Sequence, residues 1–273
     1  MRLGITIFGC FCFGLGALAA GGATAGKPLG VPELDVPQAA AAPVIDGRLD
    51  DLCWRGAAVI PGLKPARGED TQGKIARIPT TVRVLWDAEF LYVGFECVDA
   101  EVYTSGSLRH DADLYKEDVC EVFLDGKGDG RQQVEIQVAP SGVNTDVLYV
   151  YSGEPEHTPE WRLTPKFVER ERWLLREWEM AGLRTAGARL QREGKAAGWS
   201  VELAIPAAAV VKRLGLKQFE PLEIRANFMR YDWQPDPATG ERRILHMNWA
   251  PVLFGCPHIS PAAMGRLRLR PGR

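Results

Sequence analysis

The chain has 273 residues, with 33 Lys and Arg against 35 Asp and Glu, for a formal net charge of −2. Hydrophobic residues make up 46% and charged residues 25%, the mix of a packed globular protein rather than a disordered one. So balanced a charge excludes bulk electrostatic attraction to nucleic acid or acidic lipid as the basis of function.

Arg2 precedes an apolar run from Leu3 to Leu18, followed by the small-residue sequences Ala17-Leu18-Ala19 and Ala23-Thr24-Ala25. That order reads as a secretory signal peptide over residues 1–25, too short and glycine-rich for a membrane span. The expectation is a secreted or periplasmic protein. Cleavage near Ala25 removes Arg2 and two Cys, leaving 35 acidic against 32 basic residues and four of six Cys. Those four, Cys53, Cys97, Cys120 and Cys256, allow three disulfide pairings in an oxidising compartment. Without a C-x-x-C, neither a metal knuckle nor a thioredoxin-like site is expected. Residues 26–42, rich in Ala, Gly and Pro, read as a linker, and 43–271 as one domain.

From Val44 onward the hydrophobic period is two. Val82, Val84 and Trp86 alternate with Thr81, Arg83 and Leu85. After a turn at Asp87-Ala88-Glu89, Leu91, Val93, Phe95 and Cys97 alternate again. Cys120, Val122 and Leu124 oppose Val119, Glu121 and Phe123. Val134, Ile136 and Val138 oppose Gln133, Glu135 and Gln137. The pattern returns at Trp199, Val201, Leu203 and Ile205, and at Leu222, Ile224, Ala226 and Phe228. Short alternating runs bounded by Gly, Pro and Asp predict half-buried antiparallel strands, hence an all-β, two-layer sandwich. One short helix is predicted from Pro206 to Leu214, with the proline in its first turn. Residues 152–198, with Trp161, Trp173 and Trp178 among many charges, read as a loop-rich insertion.

The same alternation sorts side chains by face. Gln133, Glu135 and Gln137 point together, as do Arg225 and Asn227. If those strands are neighbours, one face carries amides, carboxylates and a guanidinium. Such groups donate to and accept from hydroxyls, which with an aromatic wall suits a sugar; the plain alternative is a solvated sheet face. The eight Trp, more numerous than the six Tyr, would supply such a wall, because indole stacks ligands as well as filling cores. Trp54, Trp86 and Trp199 nevertheless lie in apolar patterns and are expected in the core. Trp249 could be core or rim, and Trp233 sits in a turn-rich segment.

Val44-Ile45-Asp46-Gly47-Arg48-Leu49-Asp50-Asp51, followed by Trp54, resembles the opening of family 9 carbohydrate-binding modules. The segment Thr81–Val93, with Asp99 beyond it, is similar to their next signature. Glu117-Asp118-Val119-Cys120-Glu121-Val122-Phe123-Leu124-Asp125 resembles their D-x-x-E strand. Trp199-Ser200-Val201-Glu202-Leu203-Ala204-Ile205-Pro206 resembles their W-x-V-E element, and Pro257–Leu267 their closing strand, with Met264 in place of Phe. The resemblance implies a saccharide-binding β-sandwich, generally non-catalytic, found beside polysaccharide-degrading enzymes and carrying structural calcium. It also implies two rings that clamp a terminal sugar. Those positions fall on Tyr115 and His258, where sugar-binding members have Trp. Glu121 matches the carboxylate partner, and Gln137 stands where the family has Arg.

The candidate carbohydrate-binding residues are therefore Tyr115, Glu121, Gln137, Arg109, Arg230, Trp249 and His258. A structural role competes at several of them: Glu121 could pair with Arg109 or Arg230, Arg109-His110-Asp111 could form a loop salt bridge, and Asp118 could brace that loop. Asp125-Gly126-Lys127-Gly128-Asp129-Gly130 fails the EF-hand pattern at Lys127 and Ile136 and reads as a Gly-rich hairpin turn. Two other functions are compatible with the chain. A DOMON-like sandwich would bind haem through Met229, Met247, His246 or His258. A glycoside hydrolase would need two carboxyl groups about the scissile bond, for which Glu121 with Glu135 or Asp118 are available. No G-x-S-x-G or H-E-x-x-H is present.

Overall fold

The computed structural model describes residues 30–66, 77–151, 172–236, 238–252 and 263–272. In chain order the strands are β1 (Glu33–Pro37), β2 (Ala58–Ile60), β3 (Lys64–Pro65), β4 (Thr80–Trp86) and β5 (Phe90–Val98). They continue with β6 (Val119–Asp125), β7 (Gln132–Val138), β8 (Asn144–Tyr151), β9 (Arg172–Leu175) and β10 (Arg184–Arg192). The last are β11 (Lys195–Pro206), β12 (Glu223–Pro235), β13 (Arg242–Asn248) and β14 (Gly265–Arg270). They make two sheets. The larger runs β1-β14-β12-β6-β7-β8-β9, with β13 and β3 branching from β12, and the smaller runs β10-β11-β5-β4-β2. All pairings between these strands are antiparallel except β1 with β14.

Every strand expected from the period-two pattern forms, because its apolar positions meet those of the opposite sheet. Val82, Val84, Trp86, Leu91, Val93, Phe95, Trp199, Val201 and Leu203 come from the smaller sheet. They pack against Val122, Leu124, Val134, Ile136, Ile224, Ala226 and Phe228 from the larger. A smaller cluster of Trp54, Leu85, Tyr92 and Ala204 covers the outer side of the smaller sheet. Trp54 is 2% exposed, and its Nε1 donates to Glu202 Oε1 at 2.8 Å. Glu202 Oε2 accepts the N–H groups of Asp46 (3.0 Å) and Gly47 (2.8 Å). The Asp46-Gly47 turn, Trp54 and the carboxylate of β11 are thus one bonded unit, which explains why three distant sequence elements are needed together.

Three backbone segments cross where only glycine fits. A Cβ on Gly187 would lie 2.4 Å from Pro140 O and 2.7 Å from Gly142 N, and one on Gly47 would lie 2.5 Å from Gly187 C. Gly47 and Gly142 also have positive φ, which other residues rarely adopt. The crossing brings the β7–β8 turn, β10 and the opening turn into contact.

Two expectations need correction. Residues 33–37 lie inside the stretch read as linker, yet they form β1, which pairs with β14 and buries Val36. Five residues with a single core position carry too little period to reveal a parallel edge strand. The stretch read as a loop-rich insertion also contains regular sheet. β9 extends the larger sheet, and β10 is hairpin-bonded to β11 along Lys195–Ala204. Its Arg-, Ala- and Gly-rich sequence lies at an edge and needs little apolar content. The predicted helix forms as α1 (Ala207–Val211) plus a 3-10 turn at Lys212–Leu214, with Pro206 as N-cap rather than in the first turn.

Candidate functional site

Alternation on the larger sheet sends Val122, Leu124, Val134 and Ile136 inward, so their neighbours stand on its outer face. Direct cross-strand partners share a face, and the registers define two rows. Met229, Glu121, Gln137 and Thr145 lie side by side, and the next row is Asn227, Phe123, Glu135 and Val147. Gln133 opposite Tyr149 continues the surface. This is a polar floor, and it is buried: Glu121 is 1% and Gln137 7% exposed. Buried polar groups must be bonded. Gln137 Nε2 donates to Glu135 Oε1 at 2.6 Å, and Tyr149 Oη to Glu135 Oε2 at 2.7 Å. Thr145 Oγ1 donates to Ala112 O at 2.8 Å, while Asn227 both donates to and accepts from the Ala250 backbone.

The loop between β5 and β6 folds over one end of this floor. Leu114, fully buried, packs with Val119, Ala139, Leu108 and Tyr231. Val119 and Tyr231 form the row next to Glu121 and Met229, about 7 Å along the strands. Leu114 thereby places its neighbour Tyr115 at the end of the polar floor, 37% exposed in the 3-10 turn Leu114–Lys116. Tyr115 O accepts Trp233 Nε1 at 3.1 Å, and the Trp233 ring stands 6.2 Å from that of Tyr103. Tyr231 meets His246 edge-on at 4.5 Å.

Asp118 is the brace of that loop. Its Oδ2 accepts Tyr103 N at 2.6 Å and its Oδ1 accepts Trp233 N at 2.7 Å. Burial, then the charges of Asp232 and Asp99, push its carboxyl up to about 8 against the opposing pull of those two N–H groups. His110 is held by the Asn144 carbonyl at 3.0 Å and by Glu179 at 3.1 Å. Burial works against its charge, but these partners and Asp111 raise its pKa above the ordinary histidine value.

Not all the predicted residues meet. Glu121 and Gln137 are direct partners, and Tyr115 stands at the end of their face. Arg230 registers with Cys120 and therefore points the other way, between the sheets. It donates to Asp99 at 3.1 Å, to Asp232, to Thr80 Oγ1 and to the carbonyls of Ile78 and Val98. Arg109 bonds the carbonyls of Gly106, Ser107 and Leu108 in its own loop. Trp249 packs 5.5 Å from Phe228 and over Gly265, on the core side. His258 lies outside the described residues. Sequence reasoning passed over Thr145 and Tyr149, although the alternation Thr145, Val147, Tyr149 was available to find them.

Two acidic sets among the described residues bring ligand atoms within 4.8 Å: Asp99, Asp118 and Asp232, and His110, Asp111 and Asp146. Calcium takes six to eight oxygens, and neither set suits it. In the first, the Arg230 guanidinium already pairs with two of the three carboxylates, those of Asp99 and Asp232. The second offers an imidazole in place of oxygen. In the Asp125–Gly130 turn, Asp125 accepts the N–H groups of Lys127, Gly128 and Gly130, and Asp129 is paired with Arg213 at 2.7 Å. Its carboxylates are spent on closing a hairpin.

The family model for "Carbohydrate family 9 binding domain-like" proteins matches residues 45–271. The chain belongs to this family. Three solved structures share the fold of this family 9-like domain. A protein of Bacteroides uniformis, provisionally named for carbohydrate binding, is 13% identical, with a TM-score of 0.59 over 88% of this chain and 100% of its own. A family 9 module from Caldicellulosiruptor kristjanssonii in complex with cellotriose is 18% identical, with a TM-score of 0.55 over 88% and 94%. Another structure of a family 9 module from that organism, in complex with glucose, is 19% identical at the same TM-score, over 88% and 96%. Among curated proteins no match is found. In this family 9-like domain the D-x-x-E element places Asp118 and Glu121 in different roles. The first ties the Tyr115 loop to the end of β12, and the second enters the polar floor.

Proposed function

We propose that this domain binds carbohydrate without transforming it, at the outer face of the larger sheet, with the Glu121–Gln137 row as its floor and the Tyr115 loop at one end. The carrying observation is the buried rows of carboxylates and amides with an exposed aromatic side chain, Tyr115, in the loop at their end, in a chain of this family. Carboxylate and amide oxygens accept from sugar hydroxyls, amide N–H groups donate to them, and a phenol ring covers the apolar face of a pyranose. The cellotriose and glucose complexes of family 9 modules support a β-glucan or its end as the first ligand to test.

A glycosidase has two carboxyl groups flanking the bond it cleaves. Glu121 and Glu135 instead project from neighbouring strands of one sheet face, and Asp118 is spent on the two backbone N–H groups, which supports binding over hydrolysis. For haem, Met247 is in the core while His246 sits on the opposite face against Tyr231, so they form no axial pair. The N-terminal run supports export through a cleaved signal peptide, and the balanced charge supports a neutral glycan over nucleic acid. Among the described residues no helix is long and apolar enough to cross a membrane. A polysaccharide-degrading enzyme is the partner class this reading implies.

The test is titration calorimetry with cello-oligosaccharides and a wider glycan array, on wild type and Tyr115→Ala. Wild type is expected to bind, and the variant to lose at least tenfold in affinity with an unchanged circular dichroism spectrum. Absence of binding to every glycan, or undiminished binding by the variant, would remove the proposed site.

A further inference from the structure

Cys97 lies on β5, the central strand of the smaller sheet, and Cys120 near the start of β6 in the larger. Their side chains meet across the sandwich with Sγ atoms 3.5 Å apart, at 0% and 1% exposure. A buried thiol alone is unremarked chemistry, since free Cys packs as a small apolar group. Two that face each other, sulfur to sulfur, from different sheets are a different matter. A disulfide needs an S–S distance of about 2.05 Å, so closure requires roughly 1.5 Å of approach between the two sulfurs. Cys53 is no competitor in the folded chain. It packs with the Trp54 cluster on the outer side of the smaller sheet, whereas Cys97 points into the core between the sheets.

We propose that Cys97 and Cys120 form a disulfide joining the two sheets when the chain folds in an oxidising environment. The oxidant is another disulfide, either a small molecule such as oxidised glutathione or the active-site disulfide of a thiol oxidase. One cysteine thiolate displaces a sulfur of that reagent to give a mixed disulfide, and the second attacks the first cysteine's sulfur and expels the remaining reagent thiolate. Two protein thiols are oxidised to one disulfide, the reagent is reduced to two thiols, and the two protons end on them. Burial pushes the Cys120 thiol pKa well up in the folded chain, so exchange belongs to the stage before the sheets close.

The bond would close the segment 98–119. That segment contains Tyr103, Tyr115 and the brace Asp118, so the loop at the end of the polar floor would be covalently fixed to both sheets. Restricting the unfolded chain in this way stabilises the native state.

The experiment is refolding of the full chain in a glutathione redox buffer, alkylation of free thiols, and digestion without reduction. Mass spectrometry is expected to find the Cys97 and Cys120 peptides linked, lighter than the two thiol peptides by two hydrogens, and released by a reductant. Reductant should lower the Tm of wild type and of Cys53→Ser by several degrees, but not that of the Cys97→Ser/Cys120→Ser double variant. Alkylation of both thiols in the oxidised sample, or linkage of either to Cys53 or Cys256, would overturn the proposal. Should the double variant fail to fold, the wild-type peptide map decides by itself.

Discussion

At the scale of single residues, the chain separates charges that stabilise from charges able to recognise. Arg230 is a candidate ligand contact in the sequence, and equally a candidate structural partner for Glu121. Its position one register step from Glu121 turns it inward, where Asp99 and Asp232 hold it. Breaking a buried ion pair leaves an uncompensated charge and costs about 3–5 kcal/mol. Arg230→Ala should therefore lower stability by that order in urea unfolding, whether or not sugar is present. Asp118 carries a pH signature. Burial pushes its carboxyl up to about 8 in the folded chain, from an ordinary value of 3.8. Between those values the unfolded chain has lost a proton that the folded one keeps, so this group makes stability fall as pH rises from about 4 to about 8. Asp118→Asn should flatten that slope in unfolding curves taken at successive pH values. An unchanged slope would assign the pH dependence elsewhere.

At the scale of elements, glycine decides how loops and sheets meet. The β7–β8 turn, β10 and the Asp46-Gly47 turn touch at backbone level through Gly142, Gly187 and Gly47. Gly187→Ala drives a methyl carbon to 2.4 Å from Pro140 O, and overpacking of this kind typically costs about 1–3 kcal/mol. The expected result is a lower denaturation midpoint, with glycan affinity retained in the folded fraction because the crossing is not part of the polar floor. Element type was legible in the sequence wherever apolar residues alternate, as in β4 to β7, β11 and β12. It was not legible in β1, with one core position, nor in β10, whose edge location leaves composition unconstrained. Strand patterns report burial, and elements that bury little leave little pattern.

At the scale of the whole molecule, the domain is expected to behave as a binding unit. A sugar held by the native state alone stabilises it through mass action, by about 2.7 kcal/mol at a hundredfold excess over Kd. Thermal melts with rising cello-oligosaccharide should show a continuous upward shift, and reducing-sugar assays no release. A saturating melt with measurable turnover would reverse the non-catalytic reading. The sequence by itself determined the all-β sandwich, the family and the facing of Gln133, Glu135 and Gln137, because a two-residue period and ordered local motifs are properties of contiguous chain. Trp54, Trp86 and Trp199 were also assigned to the core correctly, so the tryptophan count measures packing more than recognition. Only the tertiary structure decided which strands are neighbours and hence which charges share a face. It set Glu121 beside Gln137, sent Arg230 and Trp249 to the core side, and brought Cys97 and Cys120 together. Cross-strand register is a long-range property, and no local spacing encodes it.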